Sequence, residues 1–76
     1  MFILSIVNQI GQFIYAKITT DDIRDKLLVG MNLYIVDTYY SIISSEIKVF
    51  EDYESVVISL QVQKYEKGIP ETFLEI

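Results

Sequence analysis

The sequence predicts a mainly β (α+β) fold. The expected form is a small twisted antiparallel sheet, or a partly closed SH3/OB-like barrel, with elements in the order β-β-α-β-β-β. Three observations predict it. Thirteen isoleucines and seven valines stand against one alanine, Ala16, and β-branched side chains fit a pleated surface better than a helix, for which alanine is the best former. Ten of the 76 residues are aromatic, six of them tyrosine, which again favours strands. Several stretches alternate apolar and polar residues with period two.

The elements follow in chain order. Phe2–Val7 and Phe13–Ile18 are β-branched, apolar runs. Asn8-Gln9-Ile10-Gly11-Gln12 between them supplies the polar residues and glycine of a turn centred near Gly11, so the pair reads as a hairpin. Of the two faces of the second run, Ile14/Ala16/Ile18 is the better core candidate. A short helix is expected over about 21–29. Thr19 or Thr20 can cap it, Asp21 and Asp22 complement the dipole, Ile23 and Leu27 share a face at i, i+4, and Gly30 suits the C-terminal stop.

Leu33–Val36 reads as a strand. Tyr39–Phe50 reads as one long strand, with Ile43, Ile47 and Val49 on one face and Ser44, Glu46 and Lys48 on the other. A bend or bulge is expected at Asp37 or Ser44-Ser45. Glu51-Asp52-Tyr53-Glu54 is a polar turn. Val56–Gln63 is the cleanest strand, with Ile58, Leu60 and Val62 facing one way and Ser59, Gln61 and Gln63 the other. Pro70 excludes a regular central strand near it. The chain is expected to form one domain, 1–76, with 68–76 either loose or docked as an edge strand.

Composition narrows function. A chain of this length buries only about 60–65% of its unfolded surface, so it needs good packing or oligomerisation. It has no cysteine or histidine, which removes disulfides and the usual zinc ligands and makes a cytoplasmic location the expectation. Met1–Ile18 is too short and too polar for a membrane span, and no basic residue precedes it. No membrane partner is expected. The net charge is −5 and the six basic residues are scattered, so direct nucleic-acid binding is not expected either.

Candidate chemistry is sparse. The three glycines lie far apart, and the serines lack a base and a nucleophile-elbow setting. Asp21/Asp22/Asp25 lack the spacing of a calcium loop. The expectation is a non-enzyme with no cofactor and no metal. The remaining candidates are surface groups. Tyr39, Tyr40, Glu51, Asp52, Tyr53 and Glu54 are the expected partner-binding residues, because tyrosines make low-entropy anchors and carboxylates form a polar rim.

The function this suggests is a small acidic protein-binding module. It would act as an inhibitor, an antitoxin or immunity protein, or a mobile-element (phage-type) protein, occupying a surface of a larger target, such as a nucleic-acid-binding cleft. The alternative is a structural or assembly subunit that forms a homodimer or higher homo-oligomer through its apolar surface.

Overall fold

The computed structural model describes all residues from Met1 to Ile76. The chain is mainly β, with strands β1 (Phe2–Val7), β2 (Phe13–Thr19), β3 (Asn32–Ile35), β4 (Thr38–Phe50), β5 (Ser55–Lys64) and β6 (Leu74–Glu75). They form one open six-stranded sheet in the order β2-β1-β5-β4-β3-β6. No helix is long and apolar enough to cross a membrane.

Two features of the expected architecture are corrected. The sheet is neither closed nor wholly antiparallel. β1 pairs with β5 in parallel, from Phe2↔Val56 to Val7↔Gln61, and β3 pairs with β6 in parallel. The helix over 21–29 is absent; only a single 3₁₀ turn, Arg24–Lys26, forms there. Nine residues sit below the length at which a helix holds itself together in water. The short polar side chains bond locally instead. Thr19 Oγ1 accepts the Asp21 N–H at 3.1 Å, and Asp22 Oδ1 accepts the Arg24 N–H at 3.1 Å.

The segment between β2 and β3 still serves the purpose expected of the helix. Leu27 is fully buried and Ile23 packs against the core, so the pair picked out by its spacing does face inward. Arg24 holds the segment down, pairing with Asp22 at 2.6 Å and lying 5.3 Å from the Phe2 ring.

The core lies on one face of the sheet beneath this segment. Leu4 and Ile6 of β1, Ile58, Leu60 and Val62 of β5, Ile42 of β4, and Leu33 and Ile35 of β3 join Leu27 there, none more than 2% exposed. The Ile58/Leu60/Val62 alternation is as read from the sequence. The Ile14/Ala16/Ile18 face is not. In the β1–β2 register Ile6 stands opposite Tyr15 and Ile3 opposite Ile18. Ala16 and Ile18 therefore point away from the core, while Ile14 and Tyr15 reach it. The β1–β2 ladder slips between Ile6 and Val7, which changes the alternation at this point.

A second bulge matters more. β4 pairs with β5 as Ile42↔Val62 and then Ser44↔Gln61, leaving Ile43 as the extra residue. The bulge makes Ile42, not Ile43, the buried residue, and puts Ile42, Ile47 and Val49 on one face. The C-terminal segment is docked at the edge: Leu74 pairs with Leu33, and the Ile76 N–H donates to the Tyr34 carbonyl at 3.0 Å.

The sheet is staggered. β1, with β2 outside it, flanks β5 only from Val56 to Gln61, and β3, with β6 outside it, flanks β4 only from Thr38 to Ser41. Because β4 and β5 are antiparallel, the two wings sit at opposite corners. The long dimension of 42 Å matches the thirteen residues of β4 at about 3.3 Å each.

Candidate functional site

The six candidate residues fall in three places. Tyr39 and Tyr40 are adjacent in a strand and so point to opposite faces. Tyr40 stands opposite Leu33 and packs against the core. Tyr39 faces the other side, where its ring lies 4.7 Å from Tyr34 and 5.0 Å from Phe73. Both are half-buried structural residues, and neither shares a surface with the acidic turn. Tyr40 lies ten residues along β4 from Phe50, or about 33 Å.

The aromatic cluster has one polar handle. The Tyr34 hydroxyl donates to Asp37 Oδ1 at 3.3 Å. Burial, then the Asp37 charge, raises the Tyr34 phenol above its ordinary value of 10.0.

Glu51, Asp52, Tyr53 and Glu54 do stay together. They form the β4–β5 connection at one end of the long axis. A 3₁₀ turn spans Glu51–Tyr53, the Glu54 N–H donates to the Glu51 carbonyl at 3.2 Å, and Glu54 takes a left-handed conformation at φ 50. The turn is anchored from below by Ser55, whose hydroxyl donates to the Tyr53 carbonyl at 3.1 Å. All four residues are exposed, and Tyr53 is the most exposed tyrosine at 78%. None of the three carboxylates has an ion-pair partner; the chain's one salt bridge is Arg24–Asp22. The result is a ring held out by a short hydrogen-bonded turn and bordered by three carboxylates, with the Met1 ammonium donating to the Glu54 carbonyl at 3.1 Å.

Sequence reasoning missed the surface beside this turn. Ile47, Val49 and Phe50 are exposed. Ile47 and Val49 lie on the same sheet face as Ile58 and Val56, beyond the reach of the covering segment. Their alternation shows in the sequence, where period two places them on one face. Their exposure depends on β3 stopping short, which periodicity does not encode. The outer edge of β4 beyond Ile42 has no neighbouring strand, because β3 pairing ends where Ile42 bonds Gly30 and Met31.

Little else is concave. A shallow open groove is lined by Ser41, Gln63, Lys64, Tyr65, Glu66 and Lys67. No three acidic side chains converge into a set that could hold a metal ion, and every buried side-chain polar atom has a hydrogen-bond partner. No protein-family model, curated protein or solved structure matches this chain.

Proposed function

We propose that this chain is a non-catalytic protein-binding module that engages a larger protein through the β4–β5 turn. The observation that carries the reading is the Tyr53 ring, exposed on a structured turn and bordered by Glu51, Asp52 and Glu54. An aromatic ring on a pre-formed turn inserts into a pocket at low entropic cost. Three adjacent carboxylates draw the turn towards a basic surface and raise the encounter rate.

A cleft that grips nucleic acid is basic, and an acidic turn competes for it with phosphate. An inhibitor, antitoxin or phage-type role is the proposed setting for such competition. The proposed partner is a protein, with no nucleic acid, membrane or cofactor involved.

The test uses affinity capture from the native host with three baits: the wild-type chain, Tyr53→Ala, and the triple variant Glu51→Gln, Asp52→Asn, Glu54→Gln. The expected result is one protein recovered in stoichiometric amount by the wild type, lost with Tyr53→Ala, and released from the triple variant at lower salt. A partner retained equally by all three baits, or no partner at all, overturns the reading.

A further inference from the structure

We propose that the vacant edge of β4, from Ser44 to Phe50, receives a second copy of this chain, which adds its own β4 antiparallel about a two-fold axis through Ile47. The surface is separate from the turn that carries the binding-module proposal, and it stands or falls independently of it. Its premise is the stagger of the sheet. β3 covers β4 only from Thr38 to Ser41, with Met31 and Gly30 bonding Ile42. The backbone groups on the outer side of the remaining strand have no partner, and an edge of this length is a template for strand addition.

The sequence of that edge identifies the occupant. A two-fold axis perpendicular to a sheet keeps every side chain on its own face, so it must pass through a residue and not between two. An axis through Glu46 sets two carboxylates against each other, and one through Lys48 sets two ammonium groups against each other. Like charges directly opposite destabilise a ladder. An axis closer to β3 runs into the Met31–Ile42 pairing, and one closer to the turn shortens the ladder.

The axis through Ile47 has none of these faults. It sets Glu46 against Lys48 of the partner subunit, and Lys48 against Glu46 of the partner subunit, two opposite-charge pairs on one face. On the other face Ile47 meets Ile47 of the partner subunit, and Val49 meets Ser45 of the partner subunit. Ile47 and Val49 are 46% and 59% exposed in the lone chain, and the second copy covers them. The charges that block neighbouring registers are thus the ones that select this one.

The β2 edge is the competing site. There Lys17 is the one charged side chain, and axes through Ala16, Tyr15 or Ile18 are equally free of like-charge contacts, so nothing selects a register.

Sedimentation equilibrium of the wild type, Glu46→Lys, Lys48→Glu and the double swap Glu46→Lys/Lys48→Glu tests the pairing. Both side chains are exposed, and circular dichroism checks that each variant keeps its fold. The wild type should dimerise. Each single variant places like charges across both pairs and should weaken the dimer at least about tenfold. The double swap restores both pairs and should recover the dimer to within a few fold.

In a chain with no native cysteine, Ile47→Cys should form a disulfide-linked dimer under mild oxidation. Facing residues on paired strands lie within disulfide reach. Ala16→Cys on β2 should not cross-link. A wild type that stays monomeric at millimolar concentration, a dimer indifferent to the single changes, a double swap that fails to rescue, or cross-linking through Ala16→Cys in place of Ile47→Cys would each overturn the proposal.

Discussion

Tyr34 and Tyr39 face each other across the β3–β4 ladder with ring centroids 4.7 Å apart, and Phe73 closes against Tyr39 edge-on at 5.0 Å. The three rings tie the C-terminal segment to the sheet, since Phe73 immediately precedes the two residues of β6. Two strand residues alone supply too few ladder bonds to hold that segment. Phe73→Ala should therefore lower stability by at least about 1 kcal/mol, the scale of aromatic pairs beyond simple burial. Hydrogen exchange should locate the effect: the Ile76 amide, bonded to the Tyr34 carbonyl, loses protection while the Ile58 and Leu60 amides keep theirs.

Val36 and Asp37 join β3 to β4 in a two-residue turn with φ of 42 and 67. Positive φ at both positions matches the hairpin turn that follows strand twist, for which Asn-Gly is preferred. A β-branched residue is poorly suited to that conformation. Val36 is 73% exposed, so its side chain contributes no core contact in return. Val36→Asn should raise stability by roughly 1 kcal/mol and the melting temperature by about 4–8 °C. A thermal melt showing no gain would mean that the turn is less strained than its φ values imply.

Leu27 is the fully buried residue of the segment that covers the core. Truncating a buried leucine costs about 2–5 kcal/mol. A 76-residue domain has a total stability of only about 4–11 kcal/mol on the usual per-residue scale. Leu27→Ala should accordingly unfold the chain or bring it close to unfolding. Leu28→Ala, at an exposed neighbour, should fall within about 0.5 kcal/mol of wild type. Urea titration of both variants checks the contrast.

Asp22 supplies a pH-dependent contact. The Arg24 side chain, then the Arg24 backbone N–H, hold its carboxyl below the ordinary value of 3.8. A carboxyl whose pKa is lower in the folded chain stabilises the fold above its unfolded pKa, and the contribution is lost as pH falls through the folded value. Asp22→Asn should thus differ from wild type at neutral pH and converge with it in acid. An NMR titration of Asp22 should show a depressed midpoint that returns towards 3.8 in Arg24→Met. The pair is exposed, so raising the salt should shrink the effect.

The strands were the legible part of the fold. β-branched runs and period two located β1, β2, β4 and β5 closely, because side-chain shape and alternation are local properties. What could not be read was which strands lie together. Nothing in Phe2–Val7 or Val56–Gln63 marks them as parallel neighbours. A bulge near Ser44-Ser45 is legible, but its exact place at Ile43 is not: either Ile42 or Ile43 satisfies the alternation, and only the β5 register chooses between them. The expected helix does not form because capping residues mark where a helix can begin, and nine residues are too few for it to persist.

Of the candidate site, the turn at Glu51–Glu54 was legible as a charged connection with a tyrosine in it. The opposite facing of Tyr39 and Tyr40 follows from period two alone, since adjacent strand residues point to opposite faces. The exposure of Ile47 and Val49 is not legible, because alternation shows which face a residue is on, and not whether anything covers that face.

The parallel contact between β1 and β5 also orders events in time. Phe2 pairs with Val56, so the first strand made waits for more than fifty residues before its inner neighbour exists. Pairing over such sequence distances slows folding. β3, β4 and β5 form a continuous antiparallel meander whose contacts are local. The β1–β2 hairpin can close early on its own, but Leu4 and Ile6 have no strand to pack beside until β5 arrives. Folding should therefore run through two local pieces, with their docking along β1 and β5 as the late and rate-limiting step.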